Sequence, residues 1–191
     1  LRPLTRKMCS MTDEIIIPAI EPGGKLYPVE KLHAHREGLL HLAISVFVFS
    51  GDRLLIQRRA DGKYHSGGLW ANTCCTHPDW GEELEVAAHR RLKDELGLTV
   101  PSLEERSVIE YRAQVSDTLW EHERVHVFRY SAGDDELVAH PAPEEVSAVR
   151  WIAESDLCWE MAETPERFAP WFRIYVSRWD ELNLVGDGPA R

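Results

Sequence analysis

The sequence of 191 residues lacks any apolar run near the roughly 18 residues that a membrane-spanning helix needs. Its longest apolar stretch, LAISVFVF at positions 42–49, has only the length of a strand. The first ten residues, LRPLTRKMCS, carry basic side chains with no apolar stretch behind them, which is not the pattern of a secretory signal. We therefore expect no membrane association, a disordered extension at 1–10 and a single domain over 11–191.

Cysteine and net positive charge are also scarce. The four cysteines are Cys9, Cys74, Cys75 and Cys158, and without a signal segment we expect free thiols in a reducing cytoplasm. The chain has 22 Lys and Arg against 32 Asp and Glu, a net charge of −10, and no basic stripe of the kind that nucleic-acid binding requires. An anionic substrate would have to be held by a local group of basic side chains.

Hydrophobic periodicity predicts a mixed sheet with helices packed on it, in the α/β class. The clearest helix lies within 82–97, where Leu84, Ala88, Leu92 and Leu96 recur every four residues and a glycine follows. A second helical segment is predicted at 164–182, interrupted by a proline at 170. The predicted strands are two short segments around the turn at Gly23 and Gly24, then 41–49, 53–59, 106–115, 121–130 and 148–153.

Histidines and glutamates at intervals along the chain are candidate metal ligands. In a strand WEHERVHVFRY, Glu121 and Glu123 would share one face and His122 the other. His35, His41 and His77 could join these two carboxylates around a Mn²⁺, Mg²⁺ or Zn²⁺ ion. The alternative is a solvated edge face, because two unpaired carboxylates on a buried face would repel each other.

Basic residues precede the double cysteine in this acidic chain. Lys31, Arg58, Arg59 and Lys63 form a candidate anion clamp, although local sequence favours the alternative of a solubilising hairpin. In the stretch NTCCTHP at 72–78, the spacing alone is compatible with a metal site, a disulfide or a nucleophile. These alternatives stay open at the level of composition and spacing.

The segment THPDWGEELEVAAHRRLKDELGL at 76–98 resembles the Nudix box. The matching positions are Glu82, Arg90, Leu92, Glu95, Gly97 and Leu98. Thr76, Arg91 and Asp94 replace the glycine and two of the glutamates of that pattern. Since Nudix hydrolases use these carboxylates to bind metal and as a base, the replacements count against a pyrophosphohydrolase.

The motifs KLHAH, LLHLAISVFVF, EYRA, WEHERVHVF and FAPWF, with Cys-x-His-Pro, are together similar to type I isopentenyl-diphosphate isomerases over about 25–176. That resemblance implies a Nudix-like α/β/α sandwich and proton transfer by Cys75 and Glu123 on opposite faces of the substrate. Tyr111 would assist Glu123, and the indole of Trp171 would shield a carbocation. Cys74 would serve only in packing.

The resemblance also implies two metal sites and a diphosphate clamp. A Mn²⁺ or Zn²⁺ ion would bind His35, His41, His77, Glu121 and Glu123, with His33 as an alternative to His35. A Mg²⁺ ion bound with the diphosphate would contact Glu95 and the Cys75 carbonyl. The diphosphate contacts would be Lys31, Arg59, Lys63 and Arg91.

The implied reaction interconverts isopentenyl and dimethylallyl diphosphate for isoprenoid biosynthesis. Protonation of an unactivated alkene needs a well-placed acid that is shielded from water. The implied partner is a small isoprenoid diphosphate, with no nucleic acid, and the protein is expected to be a monomer or weak dimer. The alternatives are a Nudix-type diphosphate hydrolase and a metal-binding protein without catalytic activity.

Overall fold

A computed structural model describes residues 14–63, 65–132 and 137–184, so the extension expected at 1–10 lies outside the described residues. The elements are β1 (Ile16–Ile20), β2 (Leu26–Glu30), α1 (Lys31–Glu37), β3 (His41–Ser50), β4 (Arg53–Arg59), β5 (Trp70–Ala71), β6 (Cys74–Thr76), α2 (Leu84–Leu96), β7 (Glu104–Ser116), β8 (Leu119–Ser131), β9 (Val146–Ala153), α3 (Glu154–Glu163), a 3-10 turn (Pro165–Arg167), α4 (Pro170–Ser177) and α5 (Trp179–Leu182).

Strand β3 is the centre of a nine-stranded mixed sheet. One edge of β3 pairs in parallel with β8 from His41 opposite Glu123 to Phe49 opposite Ser131. Its other edge pairs antiparallel with β1, then β6, then β4. Strands β7 and β8 form a long hairpin, and β9 and β5 extend the sheet beside β4. This arrangement brings the start of β3 beside β8, and β6 beside the middle of β3.

Helices pack on both faces of the sheet, which confirms the predicted α/β/α layers. Leu92 and Leu96 of α2 are fully buried against one face with Val46 and Leu55. Phe172 and other apolar residues of α3, α4 and α5 cover the opposite face. Burying each such side chain contributes about 1.5–3 kcal/mol, so these two interfaces dominate the stability of the layers.

The predicted helix at 82–97 is α2, and its end is set by glycine. Gly97 adopts a left-handed conformation with φ 64°, and its N–H bonds to the carbonyls of Leu92 and Lys93. A side chain at this position would be strained, so the helix stops where the sequence predicts. Thirteen residues make α2 the longest described helix, and no described helix is long and apolar enough to cross a membrane.

The carboxyl-terminal helices differ from the prediction. Pro170 does not interrupt a helix but begins α4, because proline suits the first turn, where no backbone N–H partner is needed. Helix α3 was not predicted. Its acidic residues Glu154 and Asp156 lie in the first turn, where they stabilise the helix through its dipole but weaken the apolar pattern in the sequence. The short strands β5 and β6 were also missed, since two or three residues carry no readable period.

Candidate active site

A pocket of about 510 Å³ is lined by residues of the strands β4, β6, β7 and β8 and of the helices α1, α2 and α4. Most of the residues that the sequence singled out line its wall. These are Lys31, Arg59, Lys63, Cys75, His77, Arg91, Glu95, Tyr111, Glu121, Glu123 and Trp171. His35 and His41 lie directly behind His77, with their ring centres 5.1 and 4.9 Å from its ring.

Four of the predicted metal ligands converge in this wall. The ligand atoms of His35, His41, His77 and Glu123 lie within 4.8 Å of one another. The parallel register of β3 and β8 sets His41 beside Glu123, and β6 ends one residue before His77. The His77 Nε2 lies 3.1 Å from the His41 Nε2 and 3.0 Å from a Glu123 oxygen.

Backbone carbonyls orient two of these rings. The Nδ1 of His35 and the Nδ1 of His41 each lie 2.7 Å from a carbonyl, of Lys31 and Leu39 respectively. If each Nδ1 carries the hydrogen and donates it, each Nε2 is left as an acceptor directed at the cluster. The His35 Nε2 is buried and has no hydrogen-bond partner in the part of the chain that the structure describes.

The electrostatics of the cluster suit a divalent cation. Burial lowers the pKa of His35 to about 4 and that of His77 well below its ordinary value, so both imidazoles are neutral at pH 7. Burial alone would raise the pKa of Glu123, but the adjacent His41 and His77 side chains outweigh it and the pKa lies well below its usual range. Three imidazoles and one carboxylate are a ligand set that Zn²⁺ or Mn²⁺ accepts.

Metal-free protein is expected to lose stability as the pH falls from 7 to 5. Burial lowers the pKa of His35 to about 4, and burial with the charge of Arg59 lowers that of His65 to about 3. The unfolded chain takes up these protons near pH 6.5, before the folded state does, so unfolding becomes easier by about 2 kcal/mol per histidine at pH 5.

Urea unfolding of chelator-treated protein at pH 7 and pH 5 measures this loss. His65→Gln should reduce the difference in unfolding free energy between the two pH values by the contribution of one histidine. His33→Gln changes only an exposed residue and serves as the control. Equal unfolding free energies at the two pH values would contradict the prediction.

Glu121 lies beside this cluster but outside the group of four. It is buried on the same face of β8 as Glu123, so the solvated-edge alternative is wrong. The Tyr111 hydroxyl lies 2.9 Å from a Glu121 oxygen and 2.8 Å from a Glu123 oxygen. Burial and the charge of Glu123 raise the pKa of Glu121 well above its ordinary value. A protonated Glu121 can donate to Tyr111, which in turn donates to ionised Glu123.

The geometry selects between the two candidate histidines of α1. His33 is exposed, whereas His35 is buried and faces the other ligands. A helix places residues two positions apart on different faces, and the face of α1 that carries His35 packs inward. The structure therefore brings His35, and not His33, to the cluster.

The thiol of Cys75 is held by two polar side chains. Its Sγ donates to the Asn72 Oδ1 at 3.0 Å and lies 3.1 Å from the Ser45 Oγ, which donates to the Tyr175 hydroxyl at 2.8 Å. The Asn72 amide is fixed because its Nδ2 donates to the carbonyls of Val46 and Cys74. Burial, partly offset by these bonds, raises the pKa of Cys75 to about 12. The thiol is therefore protonated at neutral pH and suited to act as an acid.

The two adjacent cysteines face opposite sides of β6. Cys74 is fully buried in the apolar layer beneath α2, whereas Cys75 reaches the pocket. Alternation of side chains along an extended strand explains this division. Both are free thiols, which excludes a disulfide at this site, and the packing role predicted for Cys74 is confirmed.

The predicted diphosphate cations converge at the mouth of the pocket. Lys31, Arg59, Lys63 and Arg91 all line it, so the solubilising-hairpin alternative does not describe them, whereas the Arg58 side chain is 42% exposed and bonds to the Gly68 carbonyl. Arg91 pairs with Glu95, which is buried and accepts a second hydrogen bond from Gln57. Arg91 and Glu95 are therefore not an ordinary surface ion pair.

The matched residues Glu82 and Arg90 of the helix segment have a structural role. Arg90 donates two hydrogen bonds to Glu82, at 2.7 and 2.6 Å, and Glu82 also accepts from the Asp79 backbone. Such a two-pronged charged pair is geometrically specific. It fastens the loop after His77 to the middle of α2 and so helps to fix that ligand.

The far end of the pocket is aromatic. Trp171 is buried at the start of α4, with the ring of His65 edge-on at 5.7 Å and the Arg59 guanidinium 5.2 Å from its ring centre. Tyr111 and Tyr175 complete this wall. A flat indole can stabilise positive charge without reacting with it, as its contact with the Arg59 guanidinium illustrates.

Five residues of the site were missed from the sequence: His65, Glu145 and Tyr175, which line the pocket, and Ser45 and Asn72, which contact the Cys75 thiol. Ser45 lies within a buried apolar strand and Tyr175 on an apolar helix, so neither carried a polar pattern. Asn72 was within the quoted cysteine motif, and its proximity to the thiol was the one available signal. His65 and Glu145 lie in loops, where spacing does not predict direction.

Comparisons with known proteins agree with this geometry. The NUDIX domain model matches residues 39–172. An isopentenyl-diphosphate Delta-isomerase of Cereibacter sphaeroides is 56% identical over 154 residues, covering 81% of this chain and 86% of the relative. The proteins of the same name from Roseobacter denitrificans and Rhodobacter capsulatus are 52% identical over 162 residues and 49% over 168, covering 85% and 88% of this chain and 91% and 94% of the relatives.

Solved structures support the same fold. A crystal structure of a Deinococcus radiodurans protein superposes with a TM-score of 0.69 at 14% identity, covering 85% of this chain and 98% of that one. A Nudix hydrolase from M. smegmatis superposes with a TM-score of 0.55 at 19% identity, covering 89% and 98%. At these identities the likeness concerns the fold alone.

Proposed function

The chain belongs to the NUDIX family and, within it, to the isopentenyl-diphosphate isomerases, and we propose that the pocket described above is its active site. The protein is an enzyme that interconverts isopentenyl diphosphate and dimethylallyl diphosphate, the two five-carbon units of isoprenoid biosynthesis. One observation carries the assignment of the site: a protonated thiol and an ionised carboxylate, Cys75 and Glu123, line the same buried pocket.

These two groups supply the two proton transfers that the reaction needs. The Cys75 thiol gives its proton to the terminal alkene carbon, leaving a thiolate and a tertiary carbocation. The Glu123 carboxylate then removes a proton from the carbon next to the oxygen-bearing carbon, and the new double bond forms there. In the reverse direction the proton transfers run in the opposite order. A forward turnover leaves a thiolate at Cys75 and a protonated Glu123, and proton exchange with water restores both groups before the next turnover.

Neighbouring side chains support each transfer. Ser45, whose hydroxyl lies 3.1 Å from the Cys75 Sγ, can turn its hydrogen towards the thiolate as it forms. Tyr111 holds Glu123 at 2.8 Å and keeps its carboxylate directed into the pocket. The indole of Trp171 faces the hydrocarbon end and stabilises the cation electrostatically without offering a nucleophile.

Divalent ions fit two places in this pocket. His35, His41, His77 and Glu123 would hold a Mn²⁺ or Zn²⁺ ion, with Glu121 as a further ligand, and a bound ion would fix Glu123 and tune its basicity. Glu95 and the Cys75 carbonyl would hold a Mg²⁺ ion that neutralises the diphosphate. Lys31, Arg59, Lys63 and Arg91 would bind the remaining diphosphate oxygens and so place the alkene beside Cys75.

Incubation with isopentenyl diphosphate and Mg²⁺ in heavy water tests the proposal. We expect dimethylallyl diphosphate that carries deuterium from solvent, because every turnover adds one proton and removes another. Release of inorganic phosphate should not accompany conversion. If the protein neither incorporates deuterium from solvent nor converts this substrate, the proposal is refuted.

The Nudix-type hydrolase remains the second candidate only through the shared fold. Arg91 replaces one of the carboxylates that hydrolases use and lines the pocket as a cation, and Asp94 replaces a glutamate by a shorter carboxylate. Phosphate release from a panel of nucleoside diphosphates, unaffected by loss of Cys75, would favour hydrolysis. We also propose a cytoplasmic location and a monomer or weak dimer, in keeping with the free thiol that the reaction requires.

A further inference from the structure

A carboxylate that the proposed reaction does not use sits between two of the diphosphate cations. An oxygen of Glu145 lies 2.6 Å from the Lys63 Nζ and 3.1 Å from an Arg91 nitrogen. Lys63 lies in the loop after β4, Arg91 lies in α2, and Glu145 is the residue immediately before β9. Three separate segments therefore meet at this one carboxylate.

The backbone holds Glu145 firmly in this place. Its carbonyl accepts from the Ala60 N–H at 2.9 Å, and its own N–H donates to the Ala142 carbonyl at 2.9 Å. The side chain is 25% exposed, and that of Lys63 is 21% exposed, so both stand at the partly screened edge of the pocket. An incoming anion can therefore reach the Lys63 and Arg91 donors only by competing with a carboxylate anchored beside them.

The charges in contact with this carboxylate show what it does. Lys63 and Arg91 pair with Glu145, and Arg91 also pairs with Glu95, so these two cations and two carboxylates are formally neutral together. Replacing Glu145 by a neutral residue would leave a formal charge of +1 and free two donors. An anion held only by these two donors would then bind more tightly, whereas one held mainly by other cations would gain less.

We propose that Glu145 is a specificity-determining residue that restricts the pocket to diphosphates. It occupies the hydrogen-bond donors of Lys63 and Arg91, from which smaller anions cannot displace it. This inference rests on the proposed function, because it assigns Lys63 and Arg91 to diphosphate binding. A diphosphate presents oxygens to several cations at once and so offsets the loss of the Glu145 contacts. A single phosphate or sulfate reaches fewer of these cations, and the charge-assisted bonds to Glu145 outweigh its gain.

Anion titration of Glu145→Gln tests the proposal without requiring turnover. Calorimetry would measure the affinities for inorganic phosphate and, with Mg²⁺, for inorganic diphosphate. We expect phosphate to bind about tenfold or more tightly than to the parent protein, which corresponds to about 1.4 kcal/mol, and diphosphate to change by less than about threefold. Glu144→Gln removes the same charge from the exposed neighbour and should change neither affinity.

Further variants and outcomes complete the test. Glu145→Asp keeps the charge and should keep the parent preference, and Glu145→Ala repeats the neutral change, with thermal melting showing that each variant is folded. Phosphate affinity that is unchanged or weaker in folded Glu145→Gln would overturn the proposal. Weaker binding of both anions would assign Glu145 to positioning Lys63 and Arg91, which also overturns it. Conversion of isopentenyl diphosphate by the parent protein tests the proposed function separately.

Discussion

Cys75→Ala is expected to lower the interconversion of the two five-carbon diphosphates by about 10³- to 10⁴-fold or more, because no other described pocket residue offers a protonated acid at that position. The raised pKa of Cys75, about 12, keeps the proton on sulfur at neutral pH. Alanine removes the acid and leaves the diphosphate clamp intact. The loss should therefore appear in kcat, with KM changed by less than about threefold. Steady-state rates from a coupled or isotopic assay measure both constants.

Cys74→Ala is the matched control for this change. The same atoms are removed one residue away, but from the apolar layer under α2 and not from the pocket. A small buried cavity should cost about 1 kcal/mol of unfolding free energy and leave kcat within about threefold. Equal losses of activity from the two variants would refute the assignment of the thiol.

Glu123→Gln is expected to lower kcat by about 10³-fold and to weaken metal binding at the histidine cluster. The amide keeps the size of the side chain but can neither accept the substrate proton nor supply negative charge to a divalent ion. Its oxygen would still accept from Tyr111, so the fold around it should persist. Rate measurement and mass-spectrometric metal content after dialysis measure the two effects independently.

Glu110→Gln on β7 makes the same chemical change at an exposed site that pairs only with Arg124 on the surface of the hairpin. It should leave both the rate and the metal content unchanged, since such surface pairs stabilise by about 0–1 kcal/mol. A Glu123→Gln protein that retains kcat within tenfold would remove Glu123 from the proposed mechanism. Normal metal content with a lost rate would separate its role as a base from its role as a ligand.

The two strongest predictions depend on strand pairing and not on either residue alone. Strand β6 lies antiparallel to β3 with Cys75 opposite Ser45, and β8 lies parallel to β3 with Glu123 opposite His41. Pairing at one edge of β3 thus brings the acid Cys75 beside Ser45. Pairing at the other edge brings the base Glu123 beside His41. A shift of one residue in either register would turn these side chains to the opposite face of the sheet.

Local pattern in the sequence determined the elements whose period can be read within a short window. The hairpin of β3 and β4, the α2 helix with its glycine stop, and the shared face of Glu121 and Glu123 all follow from alternation or from a four-residue repeat. The motifs similar to known isomerases pointed to the ligand and clamp residues before any geometry was available. The elements that the local sequence pattern did not predict were the short strands β5 and β6 and the helix α3, whose acidic residues weaken its apolar pattern.

Only the tertiary structure decided which residues meet. His35 lies on α1, His41 on β3 and His77 just after β6. Their approach to Glu123 depends on sheet pairings that link positions 28 to 82 residues apart. The environment of the thiol, the choice of His35 over His33 and the place of Glu145 between two cations depend on the same pairings. No local period encodes such contacts, because packing of both sheet faces sets them when the chain folds as a whole.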